Sequence, residues 1–396
     1  MENVNGKEEN GVLTIDLIGH IDSTNAPKVE EDINALLANF KGKDLIINAE
    51  KLEYISSAGL RVILRLSKTY PELVIKNVSS SVYEVFEMTG FSELMHIEKA
   101  FRVISVEGCE VIGQGANGKV YRLDPDTIIK VYNNADALPE INRERELARK
   151  AFFLGIPTAI PYDVVKVGKG YGSVFELLNA KSFTKLLNED PKNNDKYIKL
   201  YVDLLKKIHS TKVKPGDMPN QKEVAIEWVK YLKDYLPKDQ YDKALALFNA
   251  IPDRDTMIHG DYHTKNIMMQ NNEVLLIDMD TLAMGHPIFE ISSMYLAFEG
   301  FGVVDKNNVE KFLGIKADVA EYFFINAMKQ YLNTTDDKVV NEVLDKAKVV
   351  ANIRLMRRTI KRIGIDTPEG KPIVEYCKKA LSDLLSRIDS LDFKAN

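Results

Sequence analysis

The sequence predicts an α+β protein in two parts: a small α/β domain over residues 1–107, then a two-lobed unit with strands first and helices afterwards. Three observations carry this expectation. Short apolar strand-like runs alternate with amphipathic stretches through the first hundred residues. A glycine-rich turn followed by two strands opens a new pattern near Glu107. From Thr184 onward the periodicity is helical, except for a loop-and-strand island from Ile258 to Pro287. The length of 396 residues also suits more than one core.

In the first part, Val12 to Gly19 alternates in the manner of a strand. Asp22 and Ser23 are N-cap candidates for a helix with apolar positions at Val29, Ile33, Leu36 and Leu37. Asp44 to Asn48 reads as a short buried strand. Ser56 and Ser57 precede a second helix that opens on Ala58 and Gly59. Leu73 to Ile75 is another strand, and Val82 to Met88 a third helix stopped near Gly90. In the second part, Glu110 to Gly113 and Thr127 to Tyr132 are strands. Asn142 to Phe153 is helical, and Tyr171 to Leu178 returns to strand. The expected divisions are 108–180 for the strand-rich lobe and 181–396 for the helical lobe.

Composition narrows the function class. The chain is 45% apolar and 28% charged, as globular proteins are. A net charge of −5 from 53 basic and 58 acidic residues argues against a nucleic-acid partner, which needs a cationic surplus to displace counterions. The opening residues are polar and acidic, without the basic-then-apolar order of a secretory leader. No apolar run reaches bilayer length, so no membrane partner is expected. Cys109 and Cys377 lack metal-ligand spacing and fit two unpaired thiols of a reducing cytoplasm.

The island holds the strongest chemical signal: His259-Gly260-Asp261-Tyr262-His263-Thr264-Lys265-Asn266-Ile267, then Ile277-Asp278-Met279-Asp280. Phosphoryl transfer needs an in-line nucleophile and neutralised phosphate charge more than covalent help. Asp261 can orient an acceptor hydroxyl and take its proton. Asn266 and Asp278 supply the amide and carboxylate oxygens that a magnesium ion accepts beside phosphates and water. The Asp261-to-Asn266 interval matches the protein-kinase catalytic loop. The second signal is Gly113-Gln114-Gly115-Ala116-Asn117-Gly118, with Lys130 in the second strand beyond it. A dinucleotide site would place a helix directly after the glycines. Two strands instead suit a hairpin folded over a triphosphate, with Lys130 reaching its oxygens.

These residues resemble the aminoglycoside phosphotransferase and choline kinase superfamily, of protein-kinase-like fold. The resemblance implies ATP and Mg2+ as cofactors, Asp261 as catalytic base, Asn266 and Asp278 as metal ligands, and His259 and His263 as supports of the loop. It places Gly113, Gly115, Gly118 and Lys130 at the nucleotide, with Glu144 holding Lys130 and Glu146 a competitor for that place. By the same resemblance the Glu176 carbonyl and Leu178 amide would meet the adenine edge. Where the family often shows Gly-Asp-Pro-x-x-Asp, this chain has Gly285 to Glu290, with His286 and Glu290 at the aspartate positions.

Gly19 to Ser23 and Leu52 to Leu64 resemble the STAS domains of bacterial anti-sigma factor antagonists, over about residues 8–107. The resemblance implies a protein partner and marks Ser57 as a regulatory phosphosite, with Ser56 standing where the family has Asp. Capping of the helix by the two serines is the alternative. Arg354, Arg357, Arg358 and Lys361 share one helix face beside the apolar stripe of Ile353, Met356, Ile360 and Ile363. They read as a solvated face, with a patch for an anionic acceptor or partner as the alternative. Three functions stay open: a small-molecule kinase acting on a hydroxyl, a regulatory protein kinase acting on a STAS-domain serine, and a non-catalytic nucleotide-sensing interaction protein.

Overall fold

The computed structural model describes residues 3–394 apart from 41, 43, 116 and 117. It separates into two compact units, Met1–Ser105 and Val106–Asn396.

The first unit is built on a five-stranded sheet. Its strands are β1 (Val4–Glu9), β2 (Val12–Ile21), β3 (Asp44–Ile55), β4 (Val74–Val78) and β5 (His96–Lys99), and they lie in chain order. β1 pairs antiparallel with β2, and the remaining pairs are parallel. The parallel register follows from connections through helices α1 (Ala26–Leu37), α2 (Ser57–Thr69) and α3 (Ser80–Met88). Leu13, Ile15 and Leu17 of β2 are buried with Leu45 and Ile47 of β3, and Val29, Ile33, Ile63, Leu66 and Phe86 close the core from the helices. β1 was not legible in the sequence because five of its six residues are exposed. Helix α1 begins later than Asp22. The Asp22 carboxylate instead accepts the Thr24 and Asn25 amides in a turn that leads into Pro27. At α2 the cap is Ser56, whose hydroxyl accepts from the Ala58 and Gly59 amides at 3.2 and 3.5 Å. Ser57 follows as the exposed first residue of the helix. A Cβ on Gly59 would lie 2.7 Å from Ile55 and 2.8 Å from Ile21, so glycine lets the helix approach the sheet.

The second unit opens with antiparallel strands: β6 (Val111–Gln114), β7 (Gly118–Arg122), β8 (Thr127–Tyr132), β9 (Pro161–Val167) and β10 (Gly170–Glu176). β8 lies between β7 and β10, so Lys130 sits mid-sheet, opposite Val120 on one side and Ser173 on the other. Helix α4 (Leu138–Phe153) starts four residues ahead of the expected Asn142, on Leu138 and Pro139, because proline at the first turn forfeits no hydrogen bond.

Helices follow: α5 (Asn194–Ser210), α6 (Gln221–Tyr231), α7 (Lys238–Asn249), α8 (Ile288–Phe298), α9 (Ala317–Tyr331), α10 (Asp337–Arg362) and α11 (Gly370–Arg387). Every residue of α8 is buried, which makes it the axle of this lobe. The island between α7 and α8 forms two small ladders. β11 (Met257–Ile258) pairs with β14 (Ala283–Met284), and β12 (Ile267–Gln270) pairs with β13 (Glu273–Leu276). Asn271 and Asn272 join the latter pair with φ of 49° and 67°, the left-handed turn that suits a two-residue hairpin. Cys109 and Cys377 are both free thiols, Cys377 in the core.

Candidate active site

The two ladders do the positioning. β11 delivers the chain to His259, and the β12–β13 hairpin carries it from Asn266 back to Asp278. The Ile277 amide donates to the Asn266 carbonyl at 3.0 Å, which brings the backbone of one expected metal ligand beside the residue that precedes the other. Gly260 has φ of 82°, and a Cβ there would meet the Thr281 carbonyl oxygen at 2.7 Å. Tyr201 and Tyr262 donate to each other's carbonyl oxygens at 2.9 and 2.7 Å, pinning the loop to α5.

Asp261 is half-buried at the loop's turn. The Asn266 amide nitrogen donates to the Asp261 carbonyl at 3.0 Å and lies 3.4 Å from its carboxylate. His263 Nε2 stands 3.4 Å from the same carboxylate oxygen. Burial pushes the Asp261 carboxyl up, but the hydrogen bond and charge of His263, with His259 and Arg354 behind, outweigh it and hold the group at about 2. His259 donates from Nε2 to the Asp278 carbonyl at 2.9 Å, while its own carbonyl accepts from Thr281 Oγ1 at 2.8 Å. His259 therefore ties the loop to the Asp278 turn, while His263 braces Asp261 within it.

Lys130 reaches the site from β8. Its ammonium donates to Glu144 of α4 at 2.9 and 3.1 Å and to Asp278 at 2.9 Å. Burial works against that charge, but the carboxylates of Asp278 and Glu144 overcome it and raise the Lys130 pKa. Glu146, the other carboxylate considered for Lys130, lies outward and pairs with Lys150 at 2.7 Å. Tyr132, which sequence reasoning did not single out, donates its hydroxyl to Glu144. It lies two residues beyond Lys130 on the same strand face, and only the fold brings it to the carboxylate.

Asp278 adopts φ of 65°, a left-handed conformation that a non-glycine residue holds only where its surroundings impose it. Burial and the neighbouring Asp278 charge push the Asp280 carboxyl up to about 7. Among the described residues no group of three or more His, Cys, Asp or Glu side chains comes together as a closed metal site. The donor set does fit magnesium shared with a polyphosphate. Asn266 spends its amide donor on Asp261 and keeps its oxygen, and Asp278 already accepts from a cation.

A model of the phosphotransferase enzyme family matches residues 108–314. The chain belongs to the phosphotransferase enzyme family. A STAS domain model matches residues 3–103 of this phosphotransferase. A Bordetella bronchiseptica protein named as the anti-sigma factor antagonist BtrV is 34% identical over 91 residues, 22% of this chain and 78% of that protein. The anti-sigma-B factor antagonist of Staphylococcus aureus is 29% identical over 89 residues, 22% of this chain and 82% of its own. Aminoglycoside phosphotransferase APH(4)-Ia, solved as a ternary complex with ADP and hygromycin B, shares the fold with TM-score 0.50 and 8% identity. That likeness covers 77% of this chain and 97% of the other.

In the phosphotransferase, the three expected flap glycines differ in what they do. A Cβ on Gly118 would sit 2.1 Å from the Val131 carbonyl oxygen, whereas Gly113 and Gly115 leave room for one. The Gly115 amide donates to the Gly118 carbonyl at 2.9 Å, and Ala116 and Asn117 lie outside the described residues. Glu176 ends β10, and its amide donates to the Ile160 carbonyl at 3.2 Å. Leu177 donates to Asp126 at 2.7 Å, and Leu178 follows, half-buried, outside any strand.

The roles of two residues named in the sequence only as departures from the family pattern become visible in the structure. Glu290, read as a departure from the family pattern, is fully buried in the first turn of α8. Its carboxylate accepts the backbone amides of His259 and of Gly260, the latter at 2.9 Å. A lone glutamate inside the apolar run Pro287-Ile288-Phe289-Glu290-Ile291 was the available signal, because a buried charge must be paired. His286 accepts the Ile288 amide at 3.1 Å and meets Asp392 at 3.1 Å, so it braces the entry to α8. The expectation of a solvated arginine face on α10 is corrected at Arg354, whose guanidinium turns inward and donates to the Gly260 carbonyl at 3.2 Å. Ile353 and Met356 are core, while Ile363 lies beyond the helix and is exposed.

Proposed function

We propose that this phosphotransferase moves the γ-phosphoryl group of ATP to a hydroxyl of a small molecule, with magnesium. The observation that carries the reading is the convergence at Asp278: Lys130 donates to it at 2.9 Å and His259 to its carbonyl at 2.9 Å, while Ile277 joins it to Asn266. Nucleotide side and acceptor side thus meet at one turn.

In this mechanism Lys130, held by Glu144, leaves Asp278 for the nucleotide's phosphates, and Gly118 lets the hairpin lie flat above them. Asn266 and Asp278 would hold magnesium, which when bound neutralises charge on the triphosphate oxygens. Asp261 stays ionised and accepts the hydrogen bond of the acceptor hydroxyl. The acceptor oxygen forms a bond to the γ-phosphorus as the bond to the β-phosphate oxygen breaks. ADP leaves with that oxygen, and the acceptor proton passes to Asp261 and then to water. A carboxyl with a pKa of about 2 is a weak base, so its main contribution is orientation and charge.

The test is ADP release across sugars, amino alcohols, nucleosides, hydroxy acids and aminoglycosides, for the wild type and Asp261→Asn. Turnover should fall about 10²–10⁴-fold in the variant, with ATP affinity within about twofold of the wild type. Equal losses in both quantities would assign Asp261 to nucleotide binding instead. A second reading, phosphorylation of a serine on a STAS domain, draws on the exposure of Ser57 at the start of α2, where helix amides favour a phosphate. Phosphate found on Ser57 by mass spectrometry, and lost with Asp261→Asn, would establish it.

A further inference from the structure

The Asp261 loop hangs on the first turn of α8, because Glu290 in that turn accepts the His259 and Gly260 amides. A helix starts with backbone N–H groups that have no partner inside it, so something outside must hold them. Here the Ile288 amide donates to His286 Nδ1 at 3.1 Å. With Nδ1 accepting, a neutral ring carries its proton on Nε2, and Nε2 meets Asp392 Oδ1 at 3.1 Å. Burial pushes the His286 pKa down against the hydrogen bond and charge of Asp392, which keeps the ring neutral, with one donor and one acceptor, at neutral pH. One nitrogen of His286 is thus committed to the helix start and the other to a side chain 106 positions away.

Asp392 belongs to the segment 388–393, which follows α11 without helix or strand of its own. That segment is fastened along its length. Ile388, Leu391 and Phe393 are buried in the core of the second unit. The Phe393 ring meets His286 nearly edge-on, with centroids 5.3 Å apart. Lys346 of α10 donates to the Asp392 carbonyl at 2.9 Å, and Lys243 of α7 pairs with Asp389 at 2.5 Å. The Asp392 amide donates to Ser390 Oγ at 3.1 Å. Irregular backbone stays on a core only where its polar groups find partners of this kind. Three apolar anchors therefore present one carboxylate to one histidine, at the point where α8 begins.

We propose that the segment 388–393 is a strap that positions the Asp261 loop, with His286 and Asp392 as positioning residues. Asp392 fixes the His286 ring, His286 fixes the first turn of α8, and Glu290 in that turn fixes the amides that lead into Asp261. The catalytic weight of the strap rests on the reading of Asp261 as the residue that faces the acceptor hydroxyl.

Hydrogen exchange on the full chain, read by mass spectrometry, tests the strap without any acceptor. Asp392→Leu removes the acceptor for Nε2 at similar side-chain size. His286→Asn keeps an oxygen where Nδ1 accepts the Ile288 amide but cannot reach Asp392, so it cuts the strap bond and spares the helix start. In both variants, exchange over His259–Asn266 and over the first turn of α8 should quicken at least about fivefold, while core peptides of α5 and α9 keep the wild-type rate. Asp392→Asn retains an oxygen for Nε2–H and should restore the wild-type pattern. Equal quickening in α5 and α9, an unchanged loop in either variant, or a loss in Asp392→Asn as large as in Asp392→Leu would overturn the proposal. With any acceptor identified by ADP release, Asp392→Leu should lower kcat at least about threefold and leave KM for ATP within about twofold. An unchanged kcat would also overturn it. Absence of ADP release from every compound screened would instead remove the phosphotransfer reading and leave the exchange result standing.

Discussion

Glu290→Gln isolates what holds the loop that begins at His259 and Gly260. The wild-type carboxylate is fully buried and accepts two backbone amides, from His259 and Gly260, with His209 at 3.8 Å. Glutamine keeps one acceptor oxygen and turns an NH2 group toward the second amide, so one buried backbone donor loses its partner. An unsatisfied buried donor costs about 1–3 kcal/mol, and the misplaced amide adds a comparable amount, giving a loss of about 3 kcal/mol. At roughly 2–4 °C per kcal/mol for a large domain, the melting transition should fall by about 6–12 °C. Trp228 emission is the appropriate probe, because the chain's one tryptophan lies in the second unit and follows that unit alone. The pH dependence supplies an independent check. Burial pushes Glu290 up, but the nearby His209, then the charge and backbone amide of His259, bring it below its ordinary 4.5. A depressed folded pKa gives stability that is complete above the ordinary value of 4.5 and is lost as pH falls through the folded one, so the wild-type advantage over glutamine should shrink in acid. A melting shift under about 2 °C at neutral pH would refute the reasoning.

Three more outcomes follow from the same geometry. Asp278→Ala should abolish magnesium-dependent nucleotide binding in titration calorimetry, and retained binding would remove Asp278 from the site. Asp280, at about 7 when folded and 3.8 ordinarily, holds a proton that is lost as pH rises through neutrality. Its contribution is therefore complete below about pH 4 and lost as pH rises to about 7, and Asp280→Asn should flatten the melting temperature of the nucleotide-free protein between about pH 4 and 7. Gly118→Ala would drive a Cβ to 2.1 Å from the Val131 carbonyl oxygen and separate β7 from β8. It should weaken nucleotide affinity at least about tenfold, whereas Gly115→Ala, which meets nothing within 4 Å, should be near neutral by the same assay.

The chain's local patterns determined a good deal about this protein. The alternation of the first hundred residues specified a sheet crossed by helices, because side-chain period and burial are tied together within each element. The segments from His259 to Asn266 and at Asp278 stood out in the sequence because polar and charged residues fall there at the spacing of a known motif. Only tertiary structure decided what lay between distant segments. Glu144 faces Lys130 while Glu146 faces solvent, a choice set by how α4 rotates against β8. Tyr132 joins them because β8 lies mid-sheet. Glu290 cradles a loop thirty-odd residues behind it, and Arg354 reaches back to Gly260 across 94 positions, contacts that no local period encodes. Sequence specifies which groups a segment offers; packing selects the partner each group meets, since only the folded core removes the water that would otherwise satisfy it.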